Sequence, residues 1–384
     1  MTGRTWLKAV MACCLVLILS TPALAETIKI AVASPFTGSL AGYGENVKAG
    51  VTLKVEEINS KGGINGKQIE VEWMDEQCAP REAATVATRI AQDKDIVGVV
   101  GHLCSSAHLA AMPTYTRHGI PVVAPTTTAV SISEQSKDRS GKTWAFRVVY
   151  RDDYQGEFLA QYVDEVLELE NIAVFYENND YGIGLKNAFV EKAGELDLNI
   201  VGEEAYVSGA SDFNPQLTKL RGKNPDGLFI SGYYPEGALI AGQADSLGMK
   251  VAKFGADGFD NEDYIKLAGD AANNTYLTVP FLPEVAEGDA KQFLQEYRER
   301  FGRKVDWMSA NAYDAAGVLL QAIDQAGADR EKIREYLVSI DSPENAYNGI
   351  TGATYFNDVG DTPKPAYVKM VKDGEFVAAP VQLD

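Results

Sequence analysis

The chain has 384 residues, 46% of them hydrophobic, and its 54 acidic and 35 basic side chains give a formal net charge of −19. Nucleic acids and anionic lipid surfaces are bound through basic patches, so this acidic balance excludes both as expected partners. The length exceeds the roughly 250–300 residues at which a single hydrophobic core stops growing, which predicts two domains.

The first 25 residues have the pattern of a secretory signal peptide. Arg4 and Lys8 give a positively charged start, residues 9–20 form an apolar core, and Ala23-Leu24-Ala25 makes a small-residue cleavage site. The alternative is a membrane anchor, but the apolar run is shorter than the about 20 residues that a spanning helix needs. We therefore predict cleavage before Glu26, export, and no stable insertion into the membrane.

Export would leave two cysteines, Cys78 and Cys104, in the mature chain. Two lone cysteines in an oxidising compartment usually pair, and the alternative is a pair of free buried thiols. We interpret them as a disulfide.

Short runs rich in β-branched residues alternate with longer amphipathic stretches. The predicted strands cover residues 28–33, 69–75, 96–100, 121–124, 172–176, 200–205, 227–231 and 275–279. The predicted helices cover residues 46–60, 81–94, 155–169, 184–196, 213–221, 289–301, 309–326 and 330–339. This alternation predicts an α/β fold, in which parallel sheets have helices on both faces.

A polar segment at residues 131–143 interrupts the alternation, and apolar residues return at 146–149. We interpret this point as the end of one α/β lobe and the start of a second. A final pair of strands, at 352–356 and 366–372, is predicted to close the chain.

Hydroxyl-rich loops follow predicted strands of the first lobe, at the edge where open parallel sheets bind ligands. They contain Tyr43, Ser105 and the run Thr126-Thr127-Thr128. Hydroxyl and backbone N–H groups there can bind a carboxylate without a formal positive charge. Helix capping explains any one of these loops equally well, but three on neighbouring strands favour a binding site.

The second lobe has comparable loops, which contain Tyr181, Tyr233 and Asp257. Asp257 follows an apolar strand and is flanked by small residues, so it can pair with an ammonium group in a dry cleft. An ordinary acidic turn is the alternative. Together, the loops of the two lobes predict a site for a zwitterion.

Catalytic and metal-binding patterns are missing from the sequence. The three histidines, His102, His108 and His118, lack metal-ligand spacing, and the glycine-rich run at 62–67 lacks P-loop spacing. A Gly-x-Ser-x-Gly elbow is also absent. We therefore predict a protein that is not an enzyme and has neither a cofactor nor a metal.

Five motifs, spread over essentially the whole mature chain, share a family likeness. They are IKIAV at 28–32, EINSKGGI at 57–64, GHLCSS at 101–106, DYG at 180–182, and GY at 232–233 with PE at 235–236. Together they resemble the leucine/isoleucine/valine-binding family of type I periplasmic binding proteins, which serve ABC importers.

The resemblance implies two doubly wound lobes joined by three hinge crossings. The N-terminal lobe would comprise residues 26–147 with 281–350, and the C-terminal lobe residues 150–277 with 353–384. It further implies a monomer in the periplasm that delivers an amino-acid ligand to an inner-membrane ABC permease.

The resemblance also implies roles for single residues. The turns at Ser105 and at Thr126 to Thr128 would hold the ligand carboxylate and part of its ammonium, and the acid at Asp257 would pair with the ammonium. The tyrosines would line the side-chain region, and Cys78 would pair with Cys104. The ligand contacts expected on this basis are Tyr43, Ser105, Thr126, Thr127, Thr128, Tyr181, Tyr233 and Asp257.

The expected function is capture of a branched-chain aliphatic amino acid by hinge closure. The matched loops contain no arginine or lysine to receive an acidic side chain, and tyrosine walls favour apolar ligands. Alternatives within the family are an amide, urea, γ-aminobutyrate or an aromatic acid as ligand, or a role as a ligand-sensing module. Two differences from well-known members bear on this choice: aspartate replaces glutamate at Asp257, and threonines replace smaller residues at Thr126 and Thr127.

Overall fold

The structure, a computed structural model, describes residues 27–383. The predicted signal peptide at residues 1–25 lies outside this range, so its cleavage stays a prediction. Within residues 27–383, no helix is both long enough and apolar enough to cross a membrane.

Five parallel strands form the first sheet. They are β1 (Thr27–Ser34), β2 (Gln68–Asp75), β3 (Ile96–Gly101), β4 (Val122–Ala124) and β5 (Ala145–Arg147). Their order is β2-β1-β3-β4-β5. The helices between them are α1 (Ala41–Ser60), α2 (Pro80–Gln92), α3 (Ser105–His118) and α4 (Val130–Glu134). The central strand β3 is buried along its whole length, as its continuous hydrophobic sequence predicts.

The next part of the chain alternates strands with helices in the same way. Its strands are β6 (Asn171–Glu177), β7 (Asn199–Tyr206), β8 (Gly227–Ser231), β9 (Ala252–Gly255) and β10 (Thr275–Val279). Its helices are α5 (Asp152–Glu165), α6 (Asp180–Glu195), α7 (Asn214–Arg221), α8 (Tyr234–Ser246) and α9 (Glu262–Ala268).

The last part of the chain contributes helices to the first lobe and strands to the second sheet. It contains α10 (Asp289–Phe301), α11 (Trp307–Ala326), α12 (Arg330–Ser339), β11 (Tyr347–Gly349), β12 (Gly352–Thr354), β13 (Tyr367–Lys372) and β14 (Glu375–Ala378). The second sheet has the order β14-β13-β10-β9-β8-β6-β7, and β13 runs antiparallel to both of its neighbours. The two sheets are the cores of two lobes, which confirms the predicted α/β fold.

Helix α11 returns to the first lobe and packs across α1 and β3. A Cβ atom on Gly50 of α1 would lie 2.1 Å from the carbonyl oxygen of Ser309, and one on Gly98 of β3 would lie 2.8 Å from the side chain of Leu319. Glycine at these two positions therefore permits the close approach of helix to helix and of helix to sheet.

Three helices begin at least three residues earlier than the hydrophobic pattern predicts. Helix α1 begins at Ala41 instead of residue 46, α5 at Asp152 instead of residue 155, and α6 at Asp180 instead of residue 184. All three first turns are rich in polar residues and glycine, so they have no apolar periodicity to detect. These turns carry Tyr43, Asp152 and Tyr181, which lie at the candidate site described below.

The predicted closing strands at 352–356 and 366–372 are present, but they belong to different sheets. Strand β12 pairs with β11 in a separate two-stranded sheet, whereas β13 joins the second sheet between β10 and β14. Strands β11 and β14 were missed because they have only three and four residues. Strand β5 was missed as well; it completes the first sheet where the sequence indicated the start of the second lobe.

The lobe boundaries stay predictions. Each hinge crossing is a passage of the chain from one lobe to the other, and the contacts favour a later position for the third passage than the predicted residues 350–353. The ring of Phe356 lies 5.1 Å from that of Phe146, and the N–H of Arg147 donates to the carbonyl of Gly360 at 2.9 Å. The side chain of Asp361 pairs with Arg147 at 2.8 Å. Residues up to 361 thus contact the first lobe, and the chain reaches the second sheet at β13.

The predicted disulfide joins Cys78 to Cys104. It links the loop after β2 to the N-cap residue of α3. The bond therefore anchors the start of the helix whose first residue is Ser105.

We predict that the double substitution of Cys78→Ala and Cys104→Ala lowers the free energy of unfolding by about 3 kcal/mol, because the unfolded chain regains the entropy that a loop of this length loses. Urea unfolding followed by circular dichroism measures the change. Reduced wild-type protein should match the double variant, and equal stabilities of oxidised wild type and variant would contradict the prediction.

Candidate functional site

The predicted site residues lie where the two lobes meet. The hydroxyl of Tyr43 in the first lobe donates to the carbonyl of Gly258 in the second, and the indole N–H of Trp307 donates to the carbonyl of Asp257 at 3.2 Å. Ser106 donates to the carboxylate of Asp180 at 2.6 Å. These bonds cross the cleft between the lobes, so the described conformation is closed.

Ser105 does not cap helix α3. The N-cap residue is Cys104, which makes no side-chain capping bond, and Ser105 is the first helical residue. Its hydroxyl oxygen instead accepts the N–H of Ala129 at 3.3 Å, which joins α3 to the loop after β4. The capping alternative is therefore excluded for this serine.

Two of the predicted threonine hydroxyls already have partners in the protein. The hydroxyl of Thr126 donates to the carbonyl of Leu103 at 2.8 Å, and that of Thr127 is hydrogen-bonded to Nδ1 of His108 at 3.2 Å. Burial lowers the pKa of His108 well below its usual range, so its imidazole is neutral. These bonds fix the shape of the turn.

The backbone of this region keeps donors available for an anion. Within residues 27–383, the N–H groups of Thr127 and Thr128 donate no hydrogen bond. The first N–H groups of α3 have no partner inside the helix, as at any helix start. Both sets border Ser105, so this corner of the cleft can bind a carboxylate.

Asp257 lies on the opposite side of the cleft, in the turn after β9, and is only 2% exposed. Its Oδ1 atom accepts the hydroxyl of Tyr181 at 2.5 Å, while its Oδ2 atom has no partner in the described chain. Burial raises the pKa of Asp257 to about 7, although the bond from Tyr181 opposes that shift. A buried, half-satisfied carboxylate of this kind can bind a cationic group.

Tyrosine rings form a continuous wall beside Asp257. Tyr181 stacks on Tyr233 with ring centroids 5.0 Å apart, and Tyr43 meets Tyr233 edge-on at 6.3 Å. Tyr43 also contacts Tyr234 edge-on at 4.9 Å. The structure thus brings together the three tyrosines that sequence reasoning named and adds Tyr234.

Sequence reasoning missed two buried polar residues at the start of α5. Asp152 is fully buried, and neither carboxylate oxygen has a partner within the described residues. Gln155 donates to the hydroxyl oxygens of Tyr150 and Thr278 at 2.9 and 2.8 Å, but its own Oε1 atom has no partner there. An acid in the first turn of a helix is so common that its sequence gave no signal of a special role.

Arg147 connects the carboxylate corner to the third passage between the lobes. Its guanidinium donates to the carbonyls of Thr127 and Ala129 at 3.2 and 3.1 Å and to the hydroxyl of Ser133 at 2.6 Å. Its Nε atom pairs with Asp361 at 2.8 Å. The turn that borders the cleft and the passage at Asp361 are therefore held by one side chain.

No group of three or more metal-ligating side chains occurs in the part of the chain that the structure describes. A sequence model of the periplasmic binding protein family matches residues 27–375. The chain belongs to this family.

Relatives and solved structures of periplasmic binding proteins support the same placement. A leucine-, isoleucine-, valine-, threonine- and alanine-binding protein of Pseudomonas aeruginosa is 31% identical over 340 residues, which cover 88% of this chain and 87% of that protein. The structure of a leucine-binding protein from Thermotoga maritima has a TM-score of 0.84 and 32% identity, over 93% of this chain and 99% of that one.

A branched-chain amino acid transporter substrate-binding protein of Streptococcus pneumoniae, solved with isoleucine, has a TM-score of 0.85 and 32% identity, over 93% of this chain and 100% of that one. A solute-binding protein of Rhodopseudomonas palustris, solved with benzoate, has a TM-score of 0.82 but only 15% identity over 92% and 95% of the two chains, so it shows the fold alone. The type I periplasmic binding protein fold predicted from the motifs is confirmed.

We predict that the ligand-free protein closes more readily at low pH. Burial in the closed cleft raises the pKa of Asp257 from 3.8 to about 7, so closure is favoured below about pH 4 and becomes progressively less favourable up to about pH 7. Small-angle scattering should give a smaller radius of gyration at pH 5 than at pH 8.

The variant Asp257→Asn should show a smaller difference in radius between the two pH values than wild type, because one of the two buried acids of the cleft no longer ionises while Asp152 still does. Asp197→Asn, which removes an exposed charge, serves as the control and should behave like wild type. Equal radii for wild type at both pH values would contradict the prediction.

Proposed function

We propose that this protein captures a branched-chain aliphatic amino acid in the periplasm by closure of its two lobes. It then acts as a monomer that delivers the amino acid to an inner-membrane ABC permease. The observation that carries the proposal is the buried Asp257 carboxylate with its unpartnered oxygen, across the cleft from the free N–H groups of Thr127 and Thr128.

The two sides of the cleft match the two charges of an amino acid. The N–H groups near Ser105 and Thr128 suit the ligand carboxylate, and Asp257 suits the ammonium. The carboxylate side belongs to the first lobe and Asp257 to the second. A ligand that bridges them is therefore bound fully only in the closed state, and it shifts the equilibrium towards closure.

The tyrosine wall favours a ligand with an apolar side chain. Tyr43, Tyr181 and Tyr233 offer ring surface, and burial of apolar surface contributes about 0.8 kcal/mol per methylene. Among the described residues, the buried cation beside the carboxylate corner, Arg147, is not available to an acidic side chain, because it is occupied by Asp361 and by backbone carbonyls. The relatives named for leucine, isoleucine and valine agree with this choice.

The unpartnered carboxylate distinguishes this proposal from the alternatives that carry no positive charge; γ-aminobutyrate is separated from an α-amino acid by the ligand screen below. Benzoate, bound by the Rhodopseudomonas palustris protein, is an anion and would leave Asp257 unmatched. Urea or an amide would supply N–H donors but no positive charge. An α-amino acid supplies both, so it is the ligand class that the buried charge favours.

We expect leucine, isoleucine or valine to raise the melting temperature most in a thermal-shift screen of the twenty amino acids, urea, amides, γ-aminobutyrate and benzoate. Alanine should give a smaller shift because it buries less apolar surface, and glutamate should give little because its side-chain charge would be unpaired. A screen in which benzoate, urea or glutamate gives the largest shift, and leucine gives none at millimolar concentration, would contradict the ligand assignment.

We expect Asp257→Ala to weaken binding of the best ligand by about 2–5 kcal/mol, or roughly 30- to 5,000-fold, because the ammonium would be buried without its partner. Ser105→Ala should cost less, about 1–3 kcal/mol, because it removes one of several donors. Isothermal titration calorimetry measures both changes. Binding by Asp257→Ala within threefold of wild type would remove Asp257 from the site.

A further inference from the structure

A buried histidine of α3 is hydrogen-bonded to the turn that borders the carboxylate corner. His108 is the fourth residue of α3 and is 0% exposed. Its Nδ1 atom lies 3.2 Å from the hydroxyl oxygen of Thr127, and its Nε2 atom lies 3.1 Å from the sulfur of Met112. Both ring nitrogens therefore have a partner, and the chemistry of the two partners decides which nitrogen carries the proton.

The contact with Met112 places the proton on Nε2. A thioether sulfur has no hydrogen to donate, so it can only accept a hydrogen bond. An Nε2 atom without a proton would direct its lone pair at the lone pairs of the sulfur, whereas an Nε2–H group can donate across 3.1 Å. Burial lowers the pKa of His108 well below its usual range, so the ring is neutral and carries this one proton.

The position of the ring proton decides the direction of the bond with Thr127. A neutral imidazole with its proton on Nε2 has an Nδ1 atom that can only accept. The hydroxyl of Thr127 is therefore the donor, and its one hydrogen is used inside the protein. This hydroxyl is not available to donate to a ligand carboxylate.

The next hydroxyl along the turn is used in the same way. The hydroxyl of Thr126 donates to the carbonyl of Leu103, directly before Cys104, the N-cap residue of α3. The hydroxyl oxygen of Ser105 accepts the N–H of Ala129 from the same turn. These bonds, with that of the histidine, hold the N–H groups of the turn and the N–H groups at the start of α3 in a fixed arrangement.

We propose that His108 is a positioning residue for the ligand carboxylate: it accepts the hydroxyl of Thr127, holds the turn after β4 against α3, and leaves the ligand the backbone N–H of Thr127 instead of its hydroxyl. This inference rests on the proposed function and assigns the donors of its carboxylate corner. It also bears on specificity. Hydroxyls that are bonded inside the protein do not make the pocket more polar, so Thr126 and Thr127 do not select a ligand with a polar side chain.

A double-mutant cycle of His108→Leu and Thr127→Val, measured by isothermal titration calorimetry with leucine, tests the assignment. Each single substitution should weaken binding about three- to tenfold, the effect of losing one neutral hydrogen bond. The double variant should bind within about twofold of the weaker single variant, because both substitutions remove the same bond. The control Thr116→Val removes a hydroxyl that donates to the carbonyl of Met112 within α3, and it should bind leucine like wild type.

A hydroxyl of Thr127 that donates to the ligand would give a different pattern. Thr127→Val would then weaken leucine binding more than His108→Leu, and the two losses would multiply in the double variant. Either result would overturn the inference, as would unchanged affinity in both single variants. With threonine as ligand, Thr127→Val should weaken binding by the same factor as with leucine, within about twofold, and a selective loss of threonine binding would overturn the inference.

The variant His108→Asn separates a positioning role from a merely structural one. Its Oδ1 atom is attached to Cγ, as Nδ1 is in histidine, and it can accept the same hydroxyl. His108→Asn should therefore bind leucine more tightly than His108→Leu, although its buried amide makes a lower melting temperature the expected result. Leucine binding by His108→Asn that is no tighter than that of His108→Leu would overturn the inference.

Nitrogen-15 NMR of the ligand-free wild type, labelled at histidine, measures the tautomer without any substitution. The ring of His108, assigned by comparison with His108→Asn, should carry a proton on Nε2 alone at neutral pH. A proton on Nδ1 would make the ring the donor to Thr127 and would overturn the inference. Failure of the proposed function is recognised separately, because wild type itself would then bind no amino acid. That result would overturn the role of His108 in binding as well, whatever its tautomer.

Discussion

Negative charge buried between the lobes is the constraint on which the cleft depends. Asp152 and Asp257 are both excluded from solvent in the closed conformation, and three of their four oxygens have no partner in the described chain. Closure removes water from these groups, and the cost is recovered only when a cation or a proton supplies the missing charge. The lobes are therefore coupled to the chemistry of whatever enters the cleft, because a ligand without positive charge leaves that cost in place.

The passages between the lobes are joined to the same site through Asp361. This carboxylate pairs with Arg147 at the end of β5 and with Arg151 in the first passage. Arg147 also donates to the carbonyls of Thr127 and Ala129, in the turn that borders the cleft beside Ser105. Movement of the third passage and displacement of this turn must both act on one guanidinium, which gives a direct physical connection between hinge and site.

The sequence predicted those parts of the fold that have a strong local pattern. Continuous hydrophobic runs located β3, β8 and β10 within one residue, and the amphipathic helices α10 and α12 were predicted at their observed bounds. The elements that were not predicted include the short strands β5, β11 and β14 and the polar first turns of α1, α5 and α6. They lack periodicity and are formed by contacts with distant parts of the chain. The same limit applies to the candidate site: Tyr181 and Asp257 follow apolar strands and were named as candidates, whereas Asp152 has the sequence of an ordinary helix start. Its burial depends on α6 packing against it, and the bond between Arg151 and Asp361 joins residues 210 positions apart.

Under the proposed function, the direct bonds across the closed cleft have a consequence for the kinetics of delivery. Tyr43 to Gly258, Trp307 to Asp257 and Ser106 to Asp180 are bonds between protein groups, so part of the closing energy is available without any ligand. Such contacts lower the cost of closing and so raise apparent affinity. They also raise the population of closed, empty molecules, which would compete with loaded ones for a partner that recognises the closed shape. The buried acids without a counter-ion lower the population of closed, empty molecules, whereas the direct bonds between the lobes raise it. The balance of these two effects would set how often a closed molecule that docks on the partner carries no ligand.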